Sequence, residues 1–173
     1  MKKVVPILFT LLILGSVSVW AADEFPKAEV FGGFSVLSVK NSDLGSDRWN
    51  PVGFQVGVAG NITKNFGIVG DFGGQYKDSA HIYEYMGGPR VTARLAKASV
   101  FAHALFGGAT IGGSADTESI SENGFAMGFG GGLDVNANKH FAIRVVQFDW
   151  VPVHISGTWF NNQIRFGFGL VFK

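Results

Sequence analysis

The chain contains no cysteine, only 5 prolines and few charged residues, which make up 16% of its 173 positions. The absence of cysteine excludes a disulfide scaffold and every thiolate metal site. Glycine is abundant by contrast, with 25 residues, and phenylalanine is the dominant aromatic with 17. Because glycine costs roughly 1 kcal/mol per helical position relative to alanine, long helices are disfavoured and the composition predicts an all-β fold.

The start of the chain has the pattern of a secretory signal peptide. Two lysines and an uncharged run over residues 4–20 precede the motif Val19-x-Ala21, which places small residues where signal peptidase reads them. We predict cleavage after Ala21, which gives a signal peptide over residues 1–21 and one domain over residues 22–173. An uncleaved membrane anchor is the alternative, since the apolar run approaches the length that spans a bilayer.

The mature chain carries almost no net charge. Cleavage removes two lysines, so 14 − 2 = 12 basic residues remain against 13 acidic ones, a net charge of −1. No basic patch with interleaved aromatics is present, so no nucleic-acid partner is predicted. The four histidines lie at no ligand spacing, so we predict neither a metal nor a cofactor: His81, His103, His140 and His154.

Eight segments of the mature chain alternate apolar and polar or small residues with a period of two, which is the period of a β-strand. The clearest is "VGFQVGVAGN", and the chain ends on another, "RFGFGLVFK". The predicted strands cover residues 28–38, 52–61, 66–75, 82–93, 99–110, 124–135, 141–151 and 163–173.

The connections between these segments indicate a membrane barrel. Those after the second, fourth and sixth strands are tight, at residues 62–65, 94–97 and 136–139. The others are mostly longer and polar, and we expect external loops at residues 40–50, 112–123 and 152–162. Alternation of short turns and long loops is typical of an antiparallel up-and-down transmembrane β-barrel with its turns on the periplasmic side.

The residues on the two faces of the strands also indicate a barrel in a membrane. A barrel in a bilayer directs large apolar residues to lipid and small or ionisable residues to its lumen. The ionisable and amide residues of the non-apolar face have both signs, and we predict that they form an internal ion-pair network: Glu29, Asp71, Gln75, Glu84, Arg90, His103, Asp134 and Arg165. Two aromatic girdles are expected, one near the loops (Tyr76, Tyr83, Tyr85, Trp150, Trp159 and Phe160) and one near the turns (Phe66, Phe141 and Phe172).

Two positions disturb the pattern. Pro89 falls inside the fourth strand, where it removes a ladder donor, so a bulge or kink is expected there. In the seventh strand Arg144 has the opposite parity to Gln147 and Asp149. All three can face inward only if a bulge lies near residues 145–146.

The chain resembles the small OmpA- and OmpX-like outer-membrane barrels of Gram-negative bacteria, the outer membrane protein beta-barrel domain family, in its leader, its eight strands and its closing "IRFGFGLVFK". The resemblance implies an outer-membrane location, contact with lipid and lipopolysaccharide, and recognition by the outer-membrane assembly machinery. In that family the final alternating strand resembles the assembly signal, which here is Phe166, Phe168, Leu170 and Phe172. Lys173 departs from the pattern, because the family ends on the aromatic.

Side chains fill the interior of an eight-stranded barrel, so we predict a non-enzymatic protein with a structural or surface-interaction role. One alternative is a lipid-modifying enzyme, since His154 and Ser156 resemble the dyad of the lipid A deacylases. No Asp or Glu follows Ser156, although such a dyad needs a third group to orient its histidine. A second alternative is a soluble periplasmic barrel that holds a small apolar ligand, as lipocalins do.

Overall fold

The computed structural model describes residues 25–40, 48–115 and 118–173, without the side chains of residues 114–120. Eleven β-strands make up this part of the chain: β1 (Ala28–Lys40), β2 (Arg48–Trp49), β3 (Val52–Asn61), β4 (Phe66–Lys77), β5 (Ala80–Arg94), β6 (Ala98–Ala115), β7 (Glu118–Asn136), β8 (Phe141–Trp150), β9 (Val153–Ile155), β10 (Thr158–Phe160) and β11 (Gln163–Phe172). In the same part no helix is long and apolar enough to cross a membrane. The predicted signal peptide lies outside the described residues, as does most of the first predicted loop.

Eight strands close into one antiparallel barrel. The ring runs β1, β3, β4, β5, β6, β7, β8 and β11, and each strand pairs with the next. Pairing of β1 with β11, from Val30↔Phe172 to Val39↔Gln163, completes the circle and leaves no free edge. The predicted eight-stranded up-and-down barrel is therefore confirmed. The short strands β2, β9 and β10 lie at the loop end.

The barrel has an apolar outside and a polar inside. In β3, Gln55 is fully buried while its neighbours Val56 and Val58 are 42% and 55% exposed. In β11, Arg165 is fully buried and Phe168 is 53% exposed. Phe-rich faces that point outward suit lipid and not water. The soluble lipocalin-like alternative, which requires those faces to point inward, is therefore wrong.

Aromatic side chains ring both ends of the outer surface. Tyr76 and Trp150 are exposed near the loop end, and Phe66 and Phe172 are exposed near the turn end. The Trp150 Nε1–H donates to the Asn161 carbonyl at 2.6 Å, so its polar edge is satisfied while its ring faces outward. Rings with one polar edge suit the two interfaces of a bilayer.

Strand β8 contains the bulge that the charge parity predicted. Val145 and Val146 are both exposed, and the pairing with β7 shifts by one residue beside them. The extra residue restores the inward parity, so Arg144, Gln147 and Asp149 all face the lumen and are buried.

Pro89 interrupts the pairing between β5 and β6 without changing its register. Gly87 pairs with Phe106 and Arg90 pairs with His103, three residues further along each strand. Of the predicted bulge or kink, the bulge is therefore wrong, because the ladder has a local gap instead; the kink stays a prediction. The gap fits the chemistry of proline, which has no N–H to donate.

The loop end is more regular than the sequence suggested. Pairing of β6 with β7 continues to Ala115↔Glu118, so the predicted loop at 112–123 is wrong for most of its length. The connection from β4 to β5 is only Asp78 and Ser79, with Asp78 in the left-handed region at φ 57°. Polar residues can extend these hairpins because the ladder uses backbone groups, which every residue except proline supplies in full.

Candidate functional site

The eight polar residues predicted to face the lumen lie on six strands and are all buried, with exposures between 0 and 9%. With their neighbours they form two groups of charged residues along the barrel. The upper cluster, toward the loop end, is Asp71, Glu84, His103, Asp149 and Arg165. The lower cluster, toward the turn end, is Glu29, Arg90, Arg94, Asp134 and Arg144.

Arg165 is the centre of the upper cluster. Its Nη1 lies 2.7 Å from Asp71 Oδ1 and 2.9 Å from Glu84 Oε2, and its Nη2 lies 2.8 Å from Asp149 Oδ2. One guanidinium thus joins carboxylates on three strands to its own strand. Because all four side chains are almost fully buried, each carboxylate depends on Arg165 for charge compensation.

Asp149 is the best-satisfied carboxylate of the upper cluster. His103 Nε2 lies 2.7 Å from Asp149 Oδ1, and Gln147 Nε2 donates to Asp149 Oδ2 at 2.8 Å. Glu84 differs, because its Oε1 is buried with no hydrogen-bond partner among the described residues. The cluster therefore holds one fully bonded carboxylate and one that is only half satisfied.

The lower cluster distributes two carboxylates among three arginines. Glu29 Oε2 lies 2.8 Å from Arg90 Nη1, and Glu29 Oε1 lies 2.6 Å from Arg94 Nη1. Asp134 Oδ1 lies 2.7 Å from Arg144 Nε, while Arg90 Nη2 is 3.8 Å from Asp134 Oδ2. Each carboxylate is thus shared, and the cluster contains several alternative pairs.

Aromatic rings complete the surroundings of these arginines. The Arg144 guanidinium carbon lies 4.2 Å from the centre of the Phe31 ring and 4.3 Å from that of Phe101. Arg90 lies 4.5 Å from the same Phe101 ring. Cation–π contacts of this kind stabilise a buried guanidinium without a further carboxylate. Arg144 also donates to Gln147 Oε1 at 2.7 Å, which links the two clusters.

The two clusters carry opposite excess charge. The upper one sets three carboxylates against a single arginine, with His103 bonded to one of the carboxylates. The lower one sets three arginines against two carboxylates. Although four acidic or histidine side chains meet in the upper cluster, no group of three or more in the described chain is arranged to hold a metal ion.

Buried apolar side chains occupy the lumen from the level of the lower cluster to the loop end. They form one buried core whose members are at most 8% exposed: Ala59, Val69, Met86, Leu105, Ala109, Ala126, Val151, Val153 and Ile155. The last three follow β8 at the loop end; Val153 and Ile155 belong to the predicted external loop, but their side chains are buried and not exposed. We call Val151, Val153 and Ile155 the apolar cap.

The described part of the lumen contains a small cavity next to the charged clusters. A cavity of about 10 Å³ lies between the two clusters, lined by Asp71, Arg90 and His103 among others. That volume holds about one water molecule. Gly73 also contributes to the close packing, because a Cβ there would lie 2.9 Å from Gln75 Nε2 and 3.3 Å from Arg165 Nη1.

Sequence reasoning left several important lumen residues out of the predicted set. Asp149 and Arg144 were noticed only as a parity conflict, and the bulge that resolves it makes both of them lumenal. Gln55 follows the plain alternation of β3, and its Nε2 donates to Asp71 Oδ2 at 2.6 Å. Arg94 was assigned to a turn, yet its side chain reaches Glu29 inside the barrel.

The possible dyad lies in a short external hairpin. His154 belongs to β9, where its ring packs 4.9 Å from the Trp159 ring. Ser156 and Gly157 form the turn to β10, with φ values of 49° and 83°. In the described chain no carboxylate hydrogen-bonds to His154, so the orienting group that a catalytic histidine requires is not provided there.

The four residues of the predicted assembly signal lie on the outer face of β11. Phe166, Phe168, Leu170 and Phe172 are 43 to 53% exposed. The Phe172 ring packs 4.8 Å from the Phe141 ring, next to the point where β8 begins. The position is compatible with lipid contact, and the role in assembly stays a prediction.

Comparisons with solved structures identify several proteins of the same fold. The structure of Ail, the attachment invasion locus protein of Yersinia pestis, superposes with a TM-score of 0.60 at 17% identity and covers 84% of this chain and 96% of its own. Neisserial surface protein A gives 0.72 at 9% identity, with 86% and 97% covered. The N-terminal β-barrel domain of Pseudomonas aeruginosa OprF gives 0.58 at 9% identity, with 84% and 96% covered.

No curated protein matches the chain in sequence. The family described as "Outer membrane protein beta-barrel domain" matches it over residues 7–172. The match spans nearly the whole chain and agrees with the closed barrel, its apolar exterior and its polar lumen. This chain therefore belongs to the outer membrane protein beta-barrel domain family, whose members are proteins of the outer membrane.

Proposed function

We propose that the chain is a non-enzymatic, non-conducting barrel that acts at the cell surface through its loop end. The observation that carries the proposal is the filled lumen. Two ion-paired clusters occupy the interior, the apolar cap closes it toward the loops, and the cavity between the clusters has room for about one water molecule. A barrel filled in this way supports its loop end rigidly and offers ions no continuous polar path.

The loop end offers a structured surface for an interaction. Strands β6 and β7, with 18 and 19 residues, are longer than the other strands of the barrel. They continue to pair beyond Gly113, where β5 makes its last pair with β6. A hairpin that projects from a rigid barrel can present side chains to a partner with little loss of conformational entropy.

The charge of the loop end indicates the kind of partner. The loops and adjoining strand ends of the sequence contain six acidic residues against three basic ones: Asp43, Asp47, Asp78, Asp116, Glu118 and Glu122 against Lys40, Arg48 and Lys77. Ail has been solved in complex with the heparin analogue sucrose octasulfate. The acidic loop end of this chain favours a neutral or cationic partner instead, because a polyanion would be repelled.

The outer surface is suited to two further partners, the lipid of the outer membrane and the assembly machinery. The exposed apolar band and its aromatic girdles suit the lipids of the outer membrane and the acyl chains of lipopolysaccharide. The outward row of β11 that ends at Phe172 is the segment that we expect the assembly machinery to read. A mature start at residue 22, after removal of the signal peptide, belongs to the same proposal.

Surface exposure and attachment test the proposal together. Cells that export the chain are compared with cells in which a two-residue Asn-Gly turn replaces residues 113–120, a change that shortens the β6–β7 hairpin and retains the barrel. We expect equal amounts of heat-modifiable barrel in both, and less attachment of the shortened variant to protein-coated surfaces and to other cells. Equal attachment by both would contradict a surface role for this hairpin.

A further inference from the structure

The turn end of the barrel contains an open cleft of about 770 Å³ with a strongly basic lining. Four cationic side chains line it: Arg94, Lys97, Lys139 and Lys173. Arg94 ends β5, Lys97 and Lys139 lie in the turns after β5 and β7, and Lys173 follows β11. No Asp or Glu side chain is among the described residues that line it. The size is that of a small-molecule site, and its charged lining side chains are all cationic.

The carboxylates nearest to the cleft are already used inside the lumen. Glu29 is shared by Arg90 and Arg94, and Asp134 is shared by Arg144 and Arg90. The lower cluster therefore has one more arginine than it has carboxylates. The lysines of the cleft add to this excess and do not compensate it.

Arg94, which lines the cleft, has one buried donor without a partner. Its side chain is only 10% exposed, its Nη1 binds Glu29, and its Nε donates to the Lys64 carbonyl at 3.0 Å. Its Nη2 has no hydrogen-bond partner among the described residues. A buried guanidinium N–H without an acceptor is costly, so the Arg94 side chain would gain from a shift that brings this atom to an acceptor in the cleft.

The lysines around Arg94 are available to the same acceptor. Lys97 and Lys139 are exposed, and the described ranges contain no ion-pair partner for either. Lys173 contacts Asn136 Oδ1 through its Nζ. Partial burial lowers the pKa of the Lys173 ammonium, and the Arg94 guanidinium lowers it further although Glu29 opposes both effects. A bound anion would relieve that unfavourable charge.

We propose that this turn-end cleft binds a phosphate-bearing anion on the periplasmic side. Arg94 supplies a guanidinium at the wall of the cleft, and Lys97, Lys139 and Lys173 line it as further cations. Leu95, which is 62% exposed, gives the rim an apolar edge. Guanidinium and ammonium groups together are the usual protein ligands of phosphate oxygens. The site lies at the opposite end from the proposed surface interaction and is independent of it.

Pyrophosphate binding to the folded barrel tests the proposal. The barrel is held in a detergent without phosphate or charge, and titration calorimetry compares the wild type with the double variant Lys97→Gln/Lys139→Gln. We expect saturable binding that the double variant weakens by about tenfold or more, which corresponds to about 1.4 kcal/mol. The matched control is Lys64→Gln, a charge loss on another turn that does not line the cleft, and it should change affinity less than about twofold.

The outcomes separate a site from general attraction. Absence of saturable binding to the wild type, or an equal loss in Lys64→Gln, would overturn the proposal. The source of the phosphate is found by repeating the titration in phosphatidylcholine bilayers with and without phosphatidylglycerol. Competition by phosphatidylglycerol identifies a lipid headgroup as the ligand, and unchanged affinity identifies a soluble phosphate compound. As a control, detergent gels run with and without boiling must show that all variants remain heat-modifiable barrels.

Discussion

The upper and lower clusters compensate their buried charges in opposite ways. The upper one has too many carboxylates for its single Arg165, is sealed by the apolar cap, and uses His103 and glutamines as extra donors. The lower one has too many arginines, opens toward the turn-end cleft, and uses aromatic rings as extra acceptors. Excess negative charge is thus enclosed, while excess positive charge lies close to water.

This difference predicts how each cluster responds to the loss of a charge. A cluster around one hub has no replacement for it, whereas a cluster with shared pairs can rearrange. Removal of a scarce charge should destabilise the barrel, and removal of a surplus charge should not. Substitutions in the two clusters separate these cases. The free energy of unfolding of every variant is measured with urea in one bilayer or detergent.

The largest effect is expected for Arg165→Met. It leaves Asp71, Glu84 and Asp149 buried without their common cation, and breaking a buried pair in this way costs about 3–5 kcal/mol. We expect the free energy of unfolding to fall by at least that amount, or the variant to fail to fold. Arg165→Lys keeps the charge and should recover part of the loss. A stability within about 1 kcal/mol of the wild type in Arg165→Met would contradict the hub role.

The next effect in size is expected for Glu29→Gln in the lower cluster. Glu29 is the scarce charge there, because both Arg90 and Arg94 rely on it. Loss of its charge should lower the free energy of unfolding by about 1.5–3 kcal/mol, the range for hydrogen bonds to charged groups. The double-mutant cycle with Arg94→Gln measures the part that belongs to that pair. An effect as large as that of Arg165→Met would show that the lower cluster does not share its pairs.

A moderate effect is expected for Val153→Ala in the apolar cap. Val153 is 1% exposed in the buried core, so truncation should cost about 1–2 kcal/mol through lost burial and a small cavity. Val146→Ala is the matched control, because Val146 is 44% exposed on the lipid face. Unfolding measurements that give both variants the same loss would contradict a closed packing above the upper cluster.

The smallest effect, and the sharpest contrast, is expected for Glu84→Gln. Glu84 is a surplus carboxylate whose Oε1 lacks a partner, so the neutral amide relieves repulsion while it keeps an oxygen for Arg165. The free energy of unfolding should change by less than about 1 kcal/mol or increase. The opposite order, with Glu84→Gln more harmful than Glu29→Gln, would show that the charge balance of the two clusters is misassigned.

The sequence predicted the barrel well because its period-two pattern is strong. The two faces of β3 and β11 follow from alternation alone, and the eight strands follow from the same rule. The bulge in β8 was also predictable, because Arg144 and Asp149 cannot both face the lumen without it. What the alternation could not show is that Asp149 becomes a partner of Arg165 from another strand.

The remaining features depend on tertiary contacts that local sequence does not encode. The polar stretch around Ser114 reads as a loop, yet it continues a ladder because the neighbouring strand offers backbone partners. Val153 and Ile155 lie in the segment predicted as an external loop, but the lumen below them supplies an apolar surface. Pro89 leaves a gap and no bulge, since the register is held by the pairs on either side.

Planar-bilayer recording of the purified, folded barrel tests most directly whether the lumen is sealed. The barrel is incorporated at low protein density, its insertion is verified by protease protection, and current is recorded at neutral pH in molar potassium chloride. A lumen filled by the two clusters and closed by the apolar cap predicts no stable current steps from the wild type. Reproducible open-channel steps of one size from correctly inserted barrels would contradict it.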